Sequence, residues 1–560
     1  MSDEIKHECA VALVVLRKDG KHYRTQYGTS DYGGVKLSLL LEKQHNRGQD
    51  GAGAAIIEAN PEAGSAPYQI FKSATATPLA DILSAITKRT IKHEERIYLG
   101  HLRYATFGRN EEAFCHPFVH ASSELCHTLL LAGNFNLTNA AELFDDYRHH
   151  GSFPTSKSDG YLITELVAHE LQAGKSLDAA LANALKDADG AWTLIGATAD
   201  GTAFATRDSH GIRPGYFYMN DNVVVVASER PAIQAAFDVP PEAVRELPPG
   251  KALIISPEGE TTFCDVGRAE PPQRSCVFER IYFSRANDAD IHHERKALGA
   301  ALVPQILKAS DAPMEDIFFS YIPNSARIAF HGMLEHLFDK HGKVRFGEVA
   351  VKDAKFRTFI ADAAARREFY KHVYDVTYGL VRPDKDTLVV LDDSIVRGNT
   401  MKNAILPMLD RLGPKRIVIA SSAPPIRYPD CYGIDMSTLG ELVAFRALVN
   451  LLGMDAESEL RNCVEATPSS SCGSENASLR NLYARFTEKQ HAAEIARLLT
   501  PSGMKAEVVV VYQTIEALHA ACPDSSGDWY FTGNYPTPGG YRVLHKALQN
   551  YLDCKNDRSY

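Results

Sequence analysis

The sequence lacks any pair of cysteines separated by two residues, although ten cysteines are spread over its 560 residues. Such pairs are typical of zinc-binding and redox-active sites, so their absence argues against a zinc knuckle. The scattered positions also argue against a disulfide framework, because small disulfide-rich domains place many cysteines close together. We therefore expect a protein of a reducing compartment, the cytoplasm.

Long apolar runs and an excess of positive charge are also missing. The runs at 223–227 and 508–512 have the length of a strand and fall well short of the roughly 20 residues that cross a membrane. Residues 1–8 lack the apolar core of a signal peptide. The formal net charge is -10, which gives no electrostatic basis for binding nucleic acid or an anionic membrane. The length instead indicates a soluble globular protein of about three or four domains.

One stretch of the second half joins an apolar run to a polar loop. Residues 388–391 are apolar, Asp392 and Asp393 follow, and a helical pattern begins at Met401 after the loop 394–400. This pattern predicts a buried parallel strand that opens into a helix N-terminus, where free N–H groups favour a phosphate. The two carboxylates can hydrogen-bond ribose hydroxyls or help to hold Mg²⁺ on a pyrophosphate. The loop does not contain the Gly-x-x-x-x-Gly-Lys-[Ser/Thr] pattern of a Walker A site.

The whole block from 388 to 400 resembles the phosphoribosylpyrophosphate (PRPP) motif of type I phosphoribosyltransferases. A bare Asp-Asp pair at a strand end is usually two solvated acids, so this interpretation depends on the complete block. The first half carries further blocks of polar residues and glycine beside apolar segments, as functional loops usually do. Cys9 precedes an apolar run, and four blocks follow it in order: 44–53, 100–106, 132–139 and 156–159. Together they resemble a class II glutamine amidotransferase domain of the N-terminal-nucleophile fold.

Both resemblances meet in one family, the glutamine PRPP amidotransferases or amidophosphoribosyltransferases, and they cover nearly the whole chain. The resemblance implies an α/β and α+β protein: an N-terminal-nucleophile four-layer αββα sandwich followed by a type I phosphoribosyltransferase parallel-sheet α/β domain. It implies the following segments: a propeptide over 1–8, a class II glutamine amidotransferase domain over 9–265, a phosphoribosyltransferase domain over 275–465, and a C-terminal extension over 479–560 that packs on the phosphoribosyltransferase domain.

The family implies that residues 1–8 are removed, which leaves Cys9 as an N-terminal nucleophile. A thiol needs a base to become the reactive thiolate. A free α-amino group, with a reference pKa of about 8, can serve as that base on the same residue. Cys9 would then attack the side-chain amide of glutamine, release ammonia and form a thioester that water hydrolyses.

The resemblance also assigns the other glutamine-site residues. Arg103 matches the arginine that pairs with the α-carboxylate of glutamine, and Asp159 matches the acid that holds its α-amino group. Asn134 matches the oxyanion-hole amide, and the backbone N–H of Phe135 stands where the family usually has a glycine donor. Ala10 likewise stands where the family usually has glycine after the nucleophile. The N–H survives the change to phenylalanine, although its ring crowds the site.

The resemblance further implies a PRPP site with one Mg²⁺ per subunit. Ser325 aligns with a residue that the family uses near the metal, together with Asp392 and Asp393. The block around Lys355 and Arg357 resembles the mobile loop that closes over PRPP and supplies cations to the pyrophosphate. The remaining predicted PRPP-binding residues would cradle the 5′-phosphate: Ser394, Ile395, Val396, Arg397, Gly398, Asn399 and Thr400.

One branch of the family carries an iron–sulfur cluster on four cysteines. Two of these positions are Cys276 and Cys431 in this chain, whereas the other two align with Gly527 and Tyr530. Because two thiolates cannot hold such a cluster, we predict that the protein has none.

The family catalyses the first committed step of de novo purine synthesis, in which glutamine, PRPP and water give 5-phosphoribosylamine, glutamate and pyrophosphate. The resemblance implies purine nucleotides as feedback inhibitors and a homotetramer or homodimer. Two alternatives stay open. Another class II amidotransferase would share the first half but lack the block at 392–400. A catalytically inactive PRPP-binding regulator would fit the replacements at Ala10 and Phe135.

Overall fold

The structure is a computed structural model that describes most of the chain. Its described residues are 8–59, 61–62, 64–91, 94–105, 111–149, 151–267, 273–352, 374–434, 436–466 and 477–555. Lys355 and Arg357 lie outside them, so their assignment to the PRPP loop stays a prediction. Within these ranges, no helix has both the length and the apolar character needed to cross a membrane.

The strands of the first half form two antiparallel sheets, one of seven strands and one of six. They are β1 (Ala10–Leu16), β2 (Gly51–Glu58), β3 (Tyr68–Ser73), β4 (Glu95–Arg103), β5 (Phe118–His120), β6 (Leu129–Leu137), β7 (Gly190–Thr198), β8 (Ala203–Arg207), β9 (Tyr216–Met219), β10 (Val223–Ala227), β11 (Arg245–Glu246), β12 (Lys251–Ile255) and β13 (Thr261–Asp265). The seven-stranded sheet has the order β11-β9-β10-β1-β4-β2-β3. The six-stranded sheet has the order β13-β12-β8-β7-β6-β5.

The central strands of both sheets are buried on both faces, which produces four layers. Along β1, Val11 and Leu13 point into the core between the sheets, whereas Ala12 and Val14 point towards the outer helices. Successive strand residues face opposite sides, so an unbroken apolar run suits a strand that is covered twice. The predicted αββα sandwich is therefore confirmed. Its helices are α1 (Gly20–Tyr27), α2 (Tyr32–Lys43), α3 (Pro78–Lys88), α4 (Ala140–His149), α5 (Asp159–Gln172), α6 (Leu177–Leu185) and α7 (Arg230–Phe237).

The second half is built on a five-stranded sheet in which every neighbouring pair is parallel. The strands of this half are β14 (Ile317–Tyr321), β15 (Arg345–Phe346), β16 (Ala350–Lys352), β17 (Tyr374–Val376), β18 (Thr387–Asp392), β19 (Arg416–Ser421) and β20 (Glu507–Tyr512). The five-stranded sheet has the order β15-β14-β18-β19-β20, and β16 pairs separately with β17. β18 is central, and residues 387–391 are buried between two apolar cores. The predicted parallel-sheet α/β domain is confirmed.

Helices cover this sheet and continue into the C-terminal residues. The main ones are α8 (Ala289–Ser310), α9 (Arg327–His341), Leu406–Asp410, Val443–Leu452, Ala456–Glu465, Ala477–Ala484, Glu488–Leu499, Ile515–Ala521, Trp529–Thr532 and Pro538–Leu552. In the last helix, Val543 joins Phe445 in an apolar cluster of the second half. At its start, the Thr537 hydroxyl and the Gly539 N–H donate to the Asp189 carboxylate at 2.5 and 2.8 Å. The C-terminal residues therefore contact both halves of the chain.

A buried arginine also connects the two halves. Arg47 Nε donates to Glu229 Oε1 at 2.7 Å, and its Nη2 donates to Glu279 Oε2 at 2.5 Å. The guanidinium is 1% exposed. A buried charge is tolerated when it is paired and hydrogen-bonded, so this network fixes how the first half meets the segment that enters the second.

Helices α8 and α9 approach so closely at Gly299 that a side chain does not fit. A Cβ there would lie 1.7 Å from the backbone oxygen of Ala329. We predict that Gly299→Ala destabilises the protein by about 1–3 kcal/mol, because the helices must separate. In a helix that is not closely packed, glycine to alanine usually stabilises a protein by about 1 kcal/mol. A decrease in the free energy of unfolding would therefore indicate the close contact between α8 and α9. Thermal unfolding measures the effect. Ala297→Gly, at an exposed position of α8, is the control and should cost only about 1 kcal/mol.

Candidate active site

A cavity of about 230 Å³ in the first half collects every residue predicted for glutamine. Cys9 lies just before β1, and Arg103 ends the neighbouring strand β4. Asn134 and Phe135 belong to β6 of the other sheet, and Asp159 is the first residue of α5. Side chains that are far apart in the sequence therefore meet at one place.

The nucleophile predicted at Cys9 is not ionised in the uncleaved chain. Its Sγ accepts a hydrogen bond from the backbone N–H of Tyr104 at 3.3 Å. Burial nevertheless raises the pKa of the Cys9 thiol to about 11. Its own nitrogen is still part of the peptide bond to Glu8 and cannot act as a base. A freed α-amino group would supply that base, so removal of residues 1–8 makes chemical sense and stays a prediction.

Glu8 is buried directly in front of the nucleophile. Its carboxylate forms an ion pair with Arg213 and lies 3.6 Å from Arg47. Asn134 Nδ2 also donates to Glu8 Oε2 at 3.4 Å. In the uncleaved chain the amide predicted for the oxyanion hole is therefore occupied, and removal of Glu8 would release it.

The cavity is lined by one carboxylate, Asp159, and by two cationic side chains, Arg103 and Lys157. Asp159 and Arg103 are the residues predicted to hold the two charged ends of an amino acid. The Arg103 guanidinium lies 5.8 Å from the ring centroid of Phe114. Asp159 Oδ1 accepts the N–H of Gly160 at 3.0 Å. Burial raises the pKa of Asp159 to about 6, and the Gly160 N–H and the Arg103 charge only partly oppose this rise. An ammonium group beside Asp159 would favour the ionised form.

The backbone N–H of Phe135 is presented at an open edge of its sheet. Trp192 stands opposite Phe135 on β7, but both peptide groups of Trp192 bond to Asp208 instead. Because peptide groups of a strand alternate in direction, the N–H of Phe135 points away from β7. β5 pairs with β6 only as far as Leu131, and in the described ranges no other strand continues along this edge. This is the direction that a second oxyanion donor in the cavity requires.

A second cavity, of about 1060 Å³, opens at the carboxyl end of β18. The Asp393 carboxylate accepts hydrogen bonds from the hydroxyls of Ser325 and Ser394, the latter at 2.8 Å. Asp392 Oδ1 accepts the N–H of Asp393 at 2.9 Å. Ser325 precedes α9 and is distant in sequence, yet the structure places it beside the two acids. The three residues predicted for the metal side therefore lie together.

Most of the predicted phosphate loop lines this second cavity: Ser394, Ile395, Val396, Gly398 and Thr400. Arg397 and Asn399 are not part of the lining. The Arg397 guanidinium turns to Glu441, with Nε 2.6 Å from Oε2. Gly398 has a φ of 77°, a left-handed conformation that glycine adopts easily. The loop then continues into the helical segments Met401–Ile405 and Leu406–Asp410, so its N–H groups suit an anion.

Comparisons with known proteins identify the family of the chain. A family model described as a glutamine amidotransferase domain matches residues 111–235. The amidophosphoribosyltransferase of Archaeoglobus fulgidus is 30% identical over 361 residues, covering 63% of this chain and 74% of that relative. The amidophosphoribosyltransferase of Escherichia coli is 30% identical over 433 residues, covering 72% of this chain and 79% of that relative. The chain belongs to the amidophosphoribosyltransferase family.

Solved structures of amidophosphoribosyltransferases share the fold. The glutamine PRPP amidotransferase from B. subtilis complexed with ADP and GMP matches with a TM-score of 0.68 and 24% identity. The match covers 94% of this chain and 97% of that one. It therefore spans both halves, and the joining of an amidotransferase sandwich to a phosphoribosyltransferase sheet in one chain is confirmed.

The four positions that match the cluster ligands of one branch of the family lie near one another. Cys276 forms a β-bridge with Gly527, and its Sγ lies 3.1 Å from the Tyr530 hydroxyl. Cys431 belongs to the same apolar cluster. Burial raises the pKa of Cys276 to about 12, which disfavours the thiolate that iron needs. A set with two thiols, a glycine and a tyrosine does not fit a four-thiolate cluster.

Both cavities also include residues that the sequence did not point to. His116 and Gly433 line the glutamine cavity, and Arg285, His292 and Arg295 line the larger one. Gly433 comes from the opposite half of the chain, which no local pattern could indicate. The charged run that contains His292 and Arg295 looks like an ordinary solvated helix face. These residues become apparent only from the tertiary structure.

Proposed function

We propose that the chain is a working amidophosphoribosyltransferase that uses its two cavities for the two halves of one reaction. Glutamine is hydrolysed to glutamate and ammonia in the smaller cavity. Ammonia then displaces pyrophosphate from C1 of PRPP in the larger cavity and forms 5-phosphoribosylamine. The observation that carries this proposal is that a single chain of this family holds both sets of residues, each gathered around its own cavity.

In the glutamine cavity, Arg103 and Asp159 hold the two charged ends of the substrate and so place its amide beside the nucleophile. The freed α-amino group of Cys9 takes the thiol proton and passes it to the departing ammonia. Sγ attacks the amide carbon, while Asn134 Nδ2 and the Phe135 N–H stabilise the oxyanion. Water then cleaves the thioester and releases glutamate.

In the PRPP cavity, the acids at the end of β18 form the polar end of the site. We propose one Mg²⁺ per subunit there, because Asp392, Asp393 and Ser325 bring together the oxygen donors that Mg²⁺ prefers. Bound to these groups, Mg²⁺ would offset the charge of the leaving pyrophosphate. The two carboxylates also orient the ribose hydroxyls, and the loop 394–400 holds the 5′-phosphate.

Each of the two cavities is lined in part by residues of the other half. His45, Asn46 and Gln49 of the first half line the PRPP cavity, whereas Gly433 of the second half lines the glutamine cavity. Each site is therefore partly closed by the other half. This arrangement supports direct transfer of ammonia, which would otherwise be lost to solvent as ammonium.

The proposal also covers regulation by purine nucleotides, the oligomeric state and the cellular compartment. The B. subtilis relative was solved with ADP and GMP bound, which supports feedback inhibition by purine nucleotides. We propose a homodimer or homotetramer that works in the cytoplasm. Sedimentation measures the assembly, and pyrophosphate release in the presence of GMP or ADP measures the inhibition. A monomer would contradict the proposed oligomeric state. A rate that neither nucleotide changes would contradict the proposed feedback inhibition.

Asp159 gives the glutamine reaction a pH dependence. Burial raises the pKa of this carboxyl to about 6, so below that pH it becomes neutral and no longer attracts the α-ammonium group. We expect the KM for glutamine to rise about tenfold as the pH falls one unit below this pKa, and to change little above it. Initial-rate measurements across this range test the expectation. Asp159→Asn is the control and should show a high KM that does not vary with pH. A flat KM for the wild type would contradict it.

The central test measures PRPP-dependent pyrophosphate release with Mg²⁺, using glutamine as the nitrogen donor in one tube and ammonium in the other. Release with both is expected. Release with ammonium only would mean that the glutaminase half is inactive, through Ala10, Phe135 or failed removal of residues 1–8. Release with neither by folded protein would overturn the proposal and favour an inactive PRPP-binding regulator.

A further inference from the structure

Gly133 of β6 is held by two buried histidines to which the proposed reaction gives no role. His116 Nδ1 accepts the N–H of Gly133 at 3.1 Å. His101 Nε2 lies 3.0 Å from the carbonyl oxygen of Gly133. The two imidazole rings are stacked, with centroids 4.1 Å apart and planes only 8° from parallel. A single glycine thus has both of its peptide groups bonded to side chains.

The position of Gly133 on its strand explains why it needs these partners. The N–H and C=O of one strand residue point to the same side. β5 covers this side of β6 as far as Leu131. The histidines take the place of a strand at Gly133, and two residues further on the N–H of Phe135 faces the glutamine cavity. The two histidines therefore lie next to the part of β6 that presents the N–H of Phe135.

The two hydrogen bonds require defined protonation states. The Gly133 N–H needs a lone pair on His116 Nδ1, and the Gly133 oxygen needs a proton on His101 Nε2. Burial lowers the pKa of His101 to about 3 and lowers the pKa of His116 well below its ordinary value. Both rings are therefore neutral at physiological pH, and each presents the nitrogen that its bond requires.

His101 also joins the two sheets of the sandwich. It lies on β4, two residues before Arg103, so the two side chains leave the strand on the same face. Gly133 lies on β6, immediately before Asn134. The bond from His101 to Gly133 therefore ties the strand that carries the substrate's carboxylate anchor to the strand that carries the oxyanion donors.

We propose that His101 and His116 are positioning residues of the glutaminase site. By holding both peptide groups of Gly133, they fix the oxyanion donors of Asn134 and Phe135 relative to the rest of the cavity. They act through β6, and the inference rests on the proposed hydrolysis of glutamine.

Two substitutions of His116 separate this role from packing. His116→Phe keeps a ring of similar shape but removes the acceptor, whereas His116→Asn keeps an oxygen near the position of Nδ1. We expect His116→Phe to lower kcat for glutamine hydrolysis by about 10-fold to 100-fold, with little change in KM, because the oxyanion donors lose their alignment while Arg103 and Asp159 remain. His116→Asn should recover much of this loss. His101→Phe and His101→Gln form an equivalent pair, since glutamine retains a donor.

Three controls accompany these variants. Ammonium-dependent pyrophosphate release reports on the other cavity and should not change. Alkylation of Cys9 by iodoacetamide, followed by mass spectrometry, reports on the nucleophile without needing an oxyanion hole, and should also stay at the wild-type rate. His169→Asn alters an exposed histidine of α5 and should affect neither activity.

The outcomes distinguish this inference from the proposed function. Equal kcat values for the wild type and His116→Phe overturn the inference alone, as does an equal loss in His116→Phe and His116→Asn. A loss that affects ammonium-dependent release to the same extent indicates a structural role and also overturns it. If His116→Phe does not fold, the His101 pair decides by the same criteria. A processed wild type that hydrolyses no glutamine overturns both the inference and the proposed function.

Discussion

Replacing Cys9 by alanine is expected to abolish glutamine-dependent pyrophosphate release, with a loss of at least about 10³-fold. The thiol is the only group proposed to attack the amide, and alanine offers no nucleophile. Ammonium-dependent release should stay near the wild-type rate, because the residues that line the PRPP cavity do not include Cys9. Pyrophosphate release, measured with each nitrogen donor in turn, gives the result.

Cys126→Ala provides the matched control, because Cys126 is an exposed cysteine of the same half. It should change neither activity. Retention of glutamine-dependent release in Cys9→Ala would exclude Cys9 as the nucleophile. Loss of both activities would mean that the substitution disturbs the contact between the halves, and thermal unfolding of the variant would show this as a lower midpoint.

The strands that position the two sites could be predicted because their burial on both faces requires a recognisable run of apolar residues. β1 and β18 are covered on both faces, so all of β1 and residues 388–391 of β18 are apolar, and these runs are easily recognised. Each also places its polar neighbours at a strand end, Cys9 before β1 and Asp392 at the end of β18. The local pattern therefore indicated the two strand ends, whereas the assignment of Cys9 and Asp392 to functional sites depended on the resemblance of several blocks in order.

Side-chain directions could not be predicted in the same way. Arg397 stands in the phosphate loop and looks like a phosphate ligand, yet Glu441 draws its guanidinium away from the cavity. The competing partner lies in a different segment, so the loop sequence carries no trace of it. Gly433 is a similar case, because its place in the glutamine cavity depends on how the two halves meet.

Phe135 shows how tertiary structure changes the meaning of a substitution. From the sequence, phenylalanine in place of glycine predicts a crowded oxyanion hole. In the structure, the decisive fact is the direction of its N–H, which is set by Trp192 turning its own peptide groups to Asp208. The donor survives, and the added ring lies 5.7 Å from the ring of His116. The histidine pair behind Gly133 follows from the same strand geometry.

Replacing either acid of the PRPP site by asparagine is expected to reduce pyrophosphate release at least about 100-fold with both nitrogen donors. Asparagine has the shape of aspartate, so in Asp393→Asn one of the two hydroxyls, of Ser325 or Ser394, keeps an accepting oxygen and the other can accept from the new amide nitrogen. What is lost is the negative charge that we propose helps to hold Mg²⁺ in this cavity. Asp392→Asn should behave alike, because the N–H of Asp393 keeps its acceptor.

Ammonium-dependent release distinguishes these variants from Cys9→Ala. The reaction with ammonium does not use the glutamine cavity but still needs PRPP, so only the aspartate variants should lose it. Raising the Mg²⁺ concentration should restore part of the rate in Asp392→Asn and Asp393→Asn if these carboxylates help to hold the metal. Asp339→Asn, at an exposed position of α9, is the control for removing one negative charge from the same half and should leave the rate unchanged. Wild-type rates in both variants would exclude the end of β18 as the PRPP site.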